Sequence, residues 1–315
     1  MLPAGRISPI AKNILTYIPM PNATGLADGA NNLNRTDEPE VLSYYNQVAR
    51  VDHSFNANHR IYGRFNNYKR YSTYYDYFKS LASGGVNNWP QHAFSLDDVY
   101  HFGPATFMNI RYAFYRLSIG LTPKPESMGF DLTKLGLPKG LNEATSAAER
   151  MFPYVSVANY FSTYNGWYTH NHQNHNLEAH LTTIRGSHSF RFGADGRQYR
   201  TFHWEPGAGT TAAFDFGNTW TRGPFNTSPG SPKGQGMATL LLGLPTGGRV
   251  DRNASYAEQS TEYSFYFHDD WRVTPKLTLN LGLRYEIESP MTERFNRTVR
   301  GYDFDTPNPL EARAK

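Results

Sequence analysis

The stretch from Gln259 to Glu288, QSTEYSFYFHDDWRVTPKLTLNLGLRYEIE, constrains the chain most. It alternates apolar and polar residues over two long segments separated by a very short turn. Leu277, Leu279, Leu281, Leu283, Tyr285 and Ile287 hold the odd positions of the return segment. Lys276, Thr278, Asn280, Arg284, Glu286 and Glu288 hold even ones. A period of two puts these sets on opposite faces of a strand. Before the turn Tyr263, Phe265, Phe267, Trp271 and Val273 share one face, and Glu262, Ser264, His268, Asp270 and Arg272 the other; Asp269 is the exception. Ten or more residues at about 3.3 Å each make a strand of roughly 30 Å or more, longer than the usual globular strand. A tilted strand crosses a bilayer with about 9 to 11 residues, so the hairpin is long enough to span one.

Aromatic residues make up 15% of the 315, with 22 Tyr and 20 Phe, yet mean hydropathy is negative. The longest apolar run, Met237 to Leu244, falls far short of the roughly 20 residues that a spanning helix needs. A helical membrane protein is thereby excluded. Walls that are greasy outside and polar inside accommodate both facts. A net charge of +4, spread along the chain, gives no support to a nucleic-acid surface. The absence of cysteine excludes thiol catalysis, disulfides and Cys-ligated metals. The N-terminus, MLPAGRISPIAKNILTYIPMPN, lacks the pattern of a secretory signal. An exported protein with this start is expected to be a fragment.

Residues 1–43 mix Pro, Asn, Gly and Asp around one amphipathic helix candidate, Ile7 to Tyr17, and read as a linker leaving another domain. Strand signals follow. Tyr44 to Phe55 and Arg60 to Tyr71 flank a turn at 56–59; Ala93 to Phe102 and Thr106 to Ile119 flank one at 103–105; Asn174 to Thr183 and Ser189 to His203 flank one at 185–188. Thr211 to Thr221 and Gly248 to Tyr256 read as two further strands, with a short helix between them at Gly236 to Leu242. With the opening hairpin the total is about ten. Tight turns alternate with mostly longer loops, two of them beyond the about 12 to 15 residues usual in compact domains. One rim of tight turns and another of large loops is the asymmetry of outer-membrane barrels. The expected fold is all-β: an antiparallel transmembrane β-barrel, partial, of about ten strands.

FHDDWRVTPKLTLNLGLRYE resembles a signature region of TonB-dependent outer-membrane receptors. GRISPIAKNILTYIPMPN at 5–22, NQVARVDHSFNANHRIYGRF at 46–65 and GSHSFRFGADGRQYR at 186–200 resemble its Oar-like branch. That resemblance implies a plug inside a barrel of about 22 strands, a bound nutrient, and a periplasmic energy-transducing partner that pulls on the plug. It makes residues 1–43 the plug-to-barrel linker and 44–315 the N-terminal part of the barrel. The tail PNPLEARAK resembles no barrel terminus. Implied partners are outer-membrane lipid, a TonB-type protein and a solute, with no cofactor and no nucleic acid. Expected localisation is the bacterial outer membrane.

Alternation alone places Arg50, Arg64, Arg111, Arg191, Arg197 and Arg284 on the polar side, as lumen-lining candidates or as partners in salt bridges of a hydrated wall. His170 and His172 share a strand face and His175 does not, so the histidine-rich YTHNHQNHN supplies two imidazoles and no third ligand. Asp269 and Asp270, beside His268, point to opposite faces and do not converge as an acid/base pair. No GxSxG or HExxH pattern is present, and no enzyme is expected. The tyrosines between Tyr68 and Phe78 suit sugar stacking, an interfacial girdle or loop packing. A non-transporting adhesin or assembly protein anchored by its barrel is the second reading.

Overall fold

The computed structural model describes the chain except residues 1, 28, 35–39, 165, 226, 229–234, 300 and 308–315; most of the tail PNPLEARAK therefore lies outside the described residues. In chain order the strands are β1 (Leu42–Asn56), β2 (His59–Tyr74), β3 (Gly85–Gly103), β4 (Thr106–Pro123), β5 (Tyr154–Val157), β6 (Phe161–Ser162), β7 (Tyr168–Arg185), β8 (His188–Trp204), β9 (Ala213–Phe216), β10 (Gly247–Arg249), β11 (Tyr256–Thr274), β12 (Leu277–Glu288) and β13 (Thr292–Glu293). The helices are α1 (Pro9–Leu15), α2 (Lys139–Glu143) and α3 (Gly236–Leu242).

Eight long strands form one antiparallel wall in the order β1-β2-β3-β4-β7-β8-β11-β12, with β13 continuing the edge beside β11. Two-residue turns at 57–58, 104–105, 186–187 and 275–276 close the four hairpins on one rim. Register shifts just before three of these turns, at Ser54/Asn56, His101/Gly103 and Arg272/Thr274, mark bulges that raise the local twist where the chain reverses. Among the described residues the wall does not close: β1 and β12 each keep one unpaired edge. It is a partial barrel.

Strict alternation survives across the wall. Val51, Leu96, Tyr112, Leu177, Tyr263 and Ile287 fall on one face in neighbouring registers. Several are half or more exposed to the surroundings, as are Leu281, Leu283 and Tyr285. Apolar side chains in such a row suit hydrocarbon, not water. One glycine is sterically required here. A Cβ on Gly193 would fall 2.0 Å from the ring of Tyr266, which crosses β8 to meet His180 at 3.1 Å.

The compact core lies elsewhere. The described residues of 75–84, 124–167 and 205–255 leave the rim opposite the tight turns, and together with α1 they form a body above the wall. Its buried cluster takes Ile14 from α1, Phe78, Phe130, Leu132, Leu135, Phe152, Val155 and Phe161 from the loops, and Leu240 from α3. Tyr17 packs against Phe130 and Phe152 with ring centres 5.7 and 5.0 Å away. The helix expected at Ile7 to Tyr17 is therefore the packed element α1, and the first residues are part of the loop body as well as a lead into β1. The strand expected at Thr211 to Thr221 is corrected to the short β9, and that at Gly248 to Tyr256 to β10, separate from the start of β11. Both belong to a second sheet, β10-β9-β5-β6. Their segments are too short to cross the wall, and burial of Ala213 and Phe216 in the loop core holds them there.

Two tests follow for this body. Phe152→Ala, at a site 1% exposed, should cost about 3–5 kcal/mol and open the loops to protease while amide exchange in β7 and β8 stays slow. Beyond β12, the Glu293 carboxyl is held down at about 2, first by the side chain of Arg297 at 2.8 Å. A depressed carboxylate stabilises above its unfolded pKa and that contribution is lost as pH falls toward the folded one. Amide exchange at 293–297 should therefore quicken between about pH 4.5 and pH 2, and Glu293→Gln should abolish that step.

Candidate functional site

The face away from the apolar rows carries a lattice of charges. Asp97, 2% exposed, accepts from Arg111 Nε at 2.6 Å and from Asn109 at 2.8 Å. Arg111 also reaches Tyr62 Oη at 3.4 Å and Glu178 at 3.9 Å. Farther round, Asp195 accepts from the Ser264 hydroxyl and lies 3.2 Å from Arg197 and 3.5 Å from Arg284. Arg284 donates to Ser264 at 2.9 Å and to Glu286 at 2.5 Å; Arg197 lies 3.7 Å from Glu262. Arg191 donates to Asp270 at 2.5 Å. Arg50 pairs with Asp52 at 2.7 Å and lies 4.0 Å over the ring of Tyr62.

All six arginines singled out by alternation are thus on the polar face, and five are engaged in ion pairs. Arg64 differs: it stands opposite Arg50 in register, is exposed, and has no ion pair among the described residues. It lines a groove of about 500 Å³ with Asn66, Gln91, Ser95, Tyr115, Asn174 and Asn176. The register explains the groove. Arg64, Ser95, Ala113 and Asn176 form one row of partners, and Asn66, Ala93, Tyr115 and Asn174 the next. Small residues at Ala93, Ser95 and Ala113 leave a dent that long amides, a phenol and a guanidinium surround. Such a rim offers donors and acceptors to a hydroxylated or anionic solute and no nucleophile or acid/base pair.

His170 and His172 share the polar face, and His203, which periodicity within β7 did not reveal, lies with ring centres 4.4 and 5.8 Å from them. His175 is on the apolar face, 2.8 Å from Tyr112 Oη. Among the described residues no group of three or more His, Asp or Glu is placed to hold a metal ion. Asp269 and Asp270 do diverge. Asp270 meets Arg191 and His268 on the polar face. Asp269, the break in alternation, is buried on the apolar face against His188 at 2.7 Å. The tyrosine run ends in a packed group: Tyr74 and Tyr164 hydroxyls are 2.9 Å apart, and the Tyr75 ring packs edge-on to Tyr74 and tilted against Tyr164.

Residues 1–314 match the outer membrane beta barrel domain family. The chain belongs to that family. This outer-membrane barrel therefore resides in the bacterial outer membrane, its apolar face toward lipid. No curated protein matches it. Among solved structures it is similar to the outer membrane transporter YddB from Escherichia coli, at 9% identity and a TM-score of 0.49, over 81% of this chain and 29% of that one. The barrel chain thus spans less than a third of that transporter's length.

Asp97→Ala should leave Arg111 and Asn109 without their shared acceptor. Because Arg111 is 42% exposed, water offsets part of the loss, and a destabilisation of about 1–3 kcal/mol is expected. The check is the midpoint of heat-modifiable gel mobility, which should fall more for Asp97→Ala than for Asp52→Ala.

Proposed function

We propose that this chain is part of a TonB-dependent receptor of the Oar-like branch, which binds a polar nutrient and admits it across the outer membrane with energy from a periplasmic partner. The observation that carries the reading is the lumen groove around Arg64. A lattice that only stabilised the wall would pair this arginine as it pairs the other five, and would have no need of the small residues that hollow the wall beside it. Exposed guanidinium, amide and phenol groups suit an oligosaccharide or another hydroxyl-rich solute. Backbone in lipid needs every hydrogen bond satisfied. The open edges at β1 and β12 are accordingly expected to pair with further strands in the working barrel.

One observation favours a second reading. The external loops form a body with its own apolar core, the kind of stable surface an adhesin or assembly protein presents. Uptake separates the two. Cells carrying the protein should accumulate labelled solute, chosen from a panel of oligosaccharides, only when the energy-transducing protein is present. Arg64→Ala with Tyr115→Ala should raise the half-saturating concentration by about tenfold, as expected for lost charge-assisted and stacking contacts. Equal uptake with and without the periplasmic partner, together with cell adherence that survives both substitutions, would establish the adhesin instead.

A further inference from the structure

A cavity of about 630 Å³ does not face the lumen. It lies on the apolar-face side of the wall, at the long-loop end, and is lined by Arg116, Gln173, Arg200, Gln259 and Arg294 among others. Register fixes this placement. Asn67, His92, Arg116, Gln173, Arg200 and Gln259 are successive partners across β2, β3, β4, β7, β8 and β11. Every one of them has the parity of the lipid-facing residues. One step nearer the tight turns the same face carries Phe65, Phe94 and Phe114 on β2 to β4 and His175, Gln198 and Thr261 on β7, β8 and β11; a further step gives Leu96, Tyr112, Leu177 and Tyr263. The polar row is therefore the upper border of the apolar band.

Three arginines line the cavity at this border. Arg116, Arg200 and Arg294 are exposed, and none has an ion pair among the described residues. Two acids, Glu258 and Glu293, line the same cavity, and neither forms an ion pair with these arginines among the described residues. Glu293 is committed to Arg297 at 2.8 Å, and Glu258 has the parity of the polar face. The contrast with the lumen is informative, because five arginines there each have a carboxylate within 4 Å. A cavity that holds three arginines against two glutamates, only one of which is tied to a further arginine, keeps a positive excess where hydrocarbon gives way to headgroups, and its complement is phosphate. Arginine binds phosphate oxygens bidentately, and basic pockets at the membrane surface bind anionic headgroups.

We propose that Arg116, Arg200 and Arg294 form a binding site for the phosphate groups of a phosphorylated glycolipid of the outer leaflet. Phe114, on the same face one step nearer the tight turns than Arg116, offers an apolar contact to the acyl end of the same molecule. The site is independent of solute uptake; it requires only that the protein span the outer membrane with its long loops outside.

The test uses protein extracted from outer membranes in mild detergent and three probes: diphosphoryl lipid A, lipid A stripped of phosphate, and inorganic phosphate. Diphosphoryl lipid A should be retained, with affinity falling at least about tenfold in the Arg116→Ser, Arg200→Ser, Arg294→Ser triple variant. Dephosphorylated lipid A should bind the wild type as weakly as the phosphorylated lipid binds that variant. The triple lysine variant should recover most of the affinity, and heat-modifiable mobility reports folding of each protein. Where the triple serine variant does not fold, Arg200→Ser alone should lose several-fold. Equal binding by wild type and a folded serine variant would overturn the proposal. So would equal binding of the dephosphorylated lipid, or displacement of lipid A by millimolar inorganic phosphate, which would make the cavity a free-anion site.

Discussion

Interstrand backbone hydrogen bonding is the constraint on which this structure depends. Within lipid no water is available to an unpaired amide or carbonyl, so each crossing segment must find partners on both sides. Inside the wall β2, β3, β4, β7, β8 and β11 meet that demand with registers of a dozen or more residue pairs, and β1 and β12 meet it on one side. Once the backbone is paired in this way, side-chain packing within the wall is no longer the organising force. The usual arrangement is inverted: the apolar face looks outward into lipid, charges lie inside, and the compact core is displaced to the loops.

The strand-level architecture was legible because it rests on a period of two, which survives without any knowledge of neighbours. Leu277 to Ile287 declare their face one residue at a time. The same rule overreached at Thr211 to Thr221, where TAAFDF alternates for only a few residues and the loop core, through Phe216 and Leu240, decides the outcome. It also said nothing of where α1 goes, since an amphipathic turn of helix looks alike whether it caps a loop body or bridges two domains.

Legibility ends sooner at the groove. Periodicity assigned Arg64 and Arg111 to the same side and gave no reason to separate them. Their different fates are set across strands: Arg111 faces Asp97 in the adjacent register and Arg64 faces Ser95. Pairing between β4 and β7, which a long excursion through residues 124–167 separates in sequence, then brings Asn174 and Asn176 to the same place. Asp269 carried the opposite lesson. It broke the alternation visibly, yet its partner His188 lies in another hairpin.

That pair has a counterpart. His59 begins β2 and reaches Asp98 at 2.7 Å, as His188 begins β8 and reaches Asp269 at 2.7 Å. In both, the carboxylate lies two residues before the histidine's direct partner, Tyr100 or Trp271, and rings flank the imidazole: Phe55 and Tyr100 in one, Phe190 and Trp271 in the other. Each is a hydrophilic knot, wrapped in aromatic rings, on the side that meets the acyl chains and close to the periplasmic rim. Sinking such a knot into oil is unfavourable, and lifting its rings into water is too. The two together act as a draught mark, fixing how deep this side of the barrel rides in the membrane.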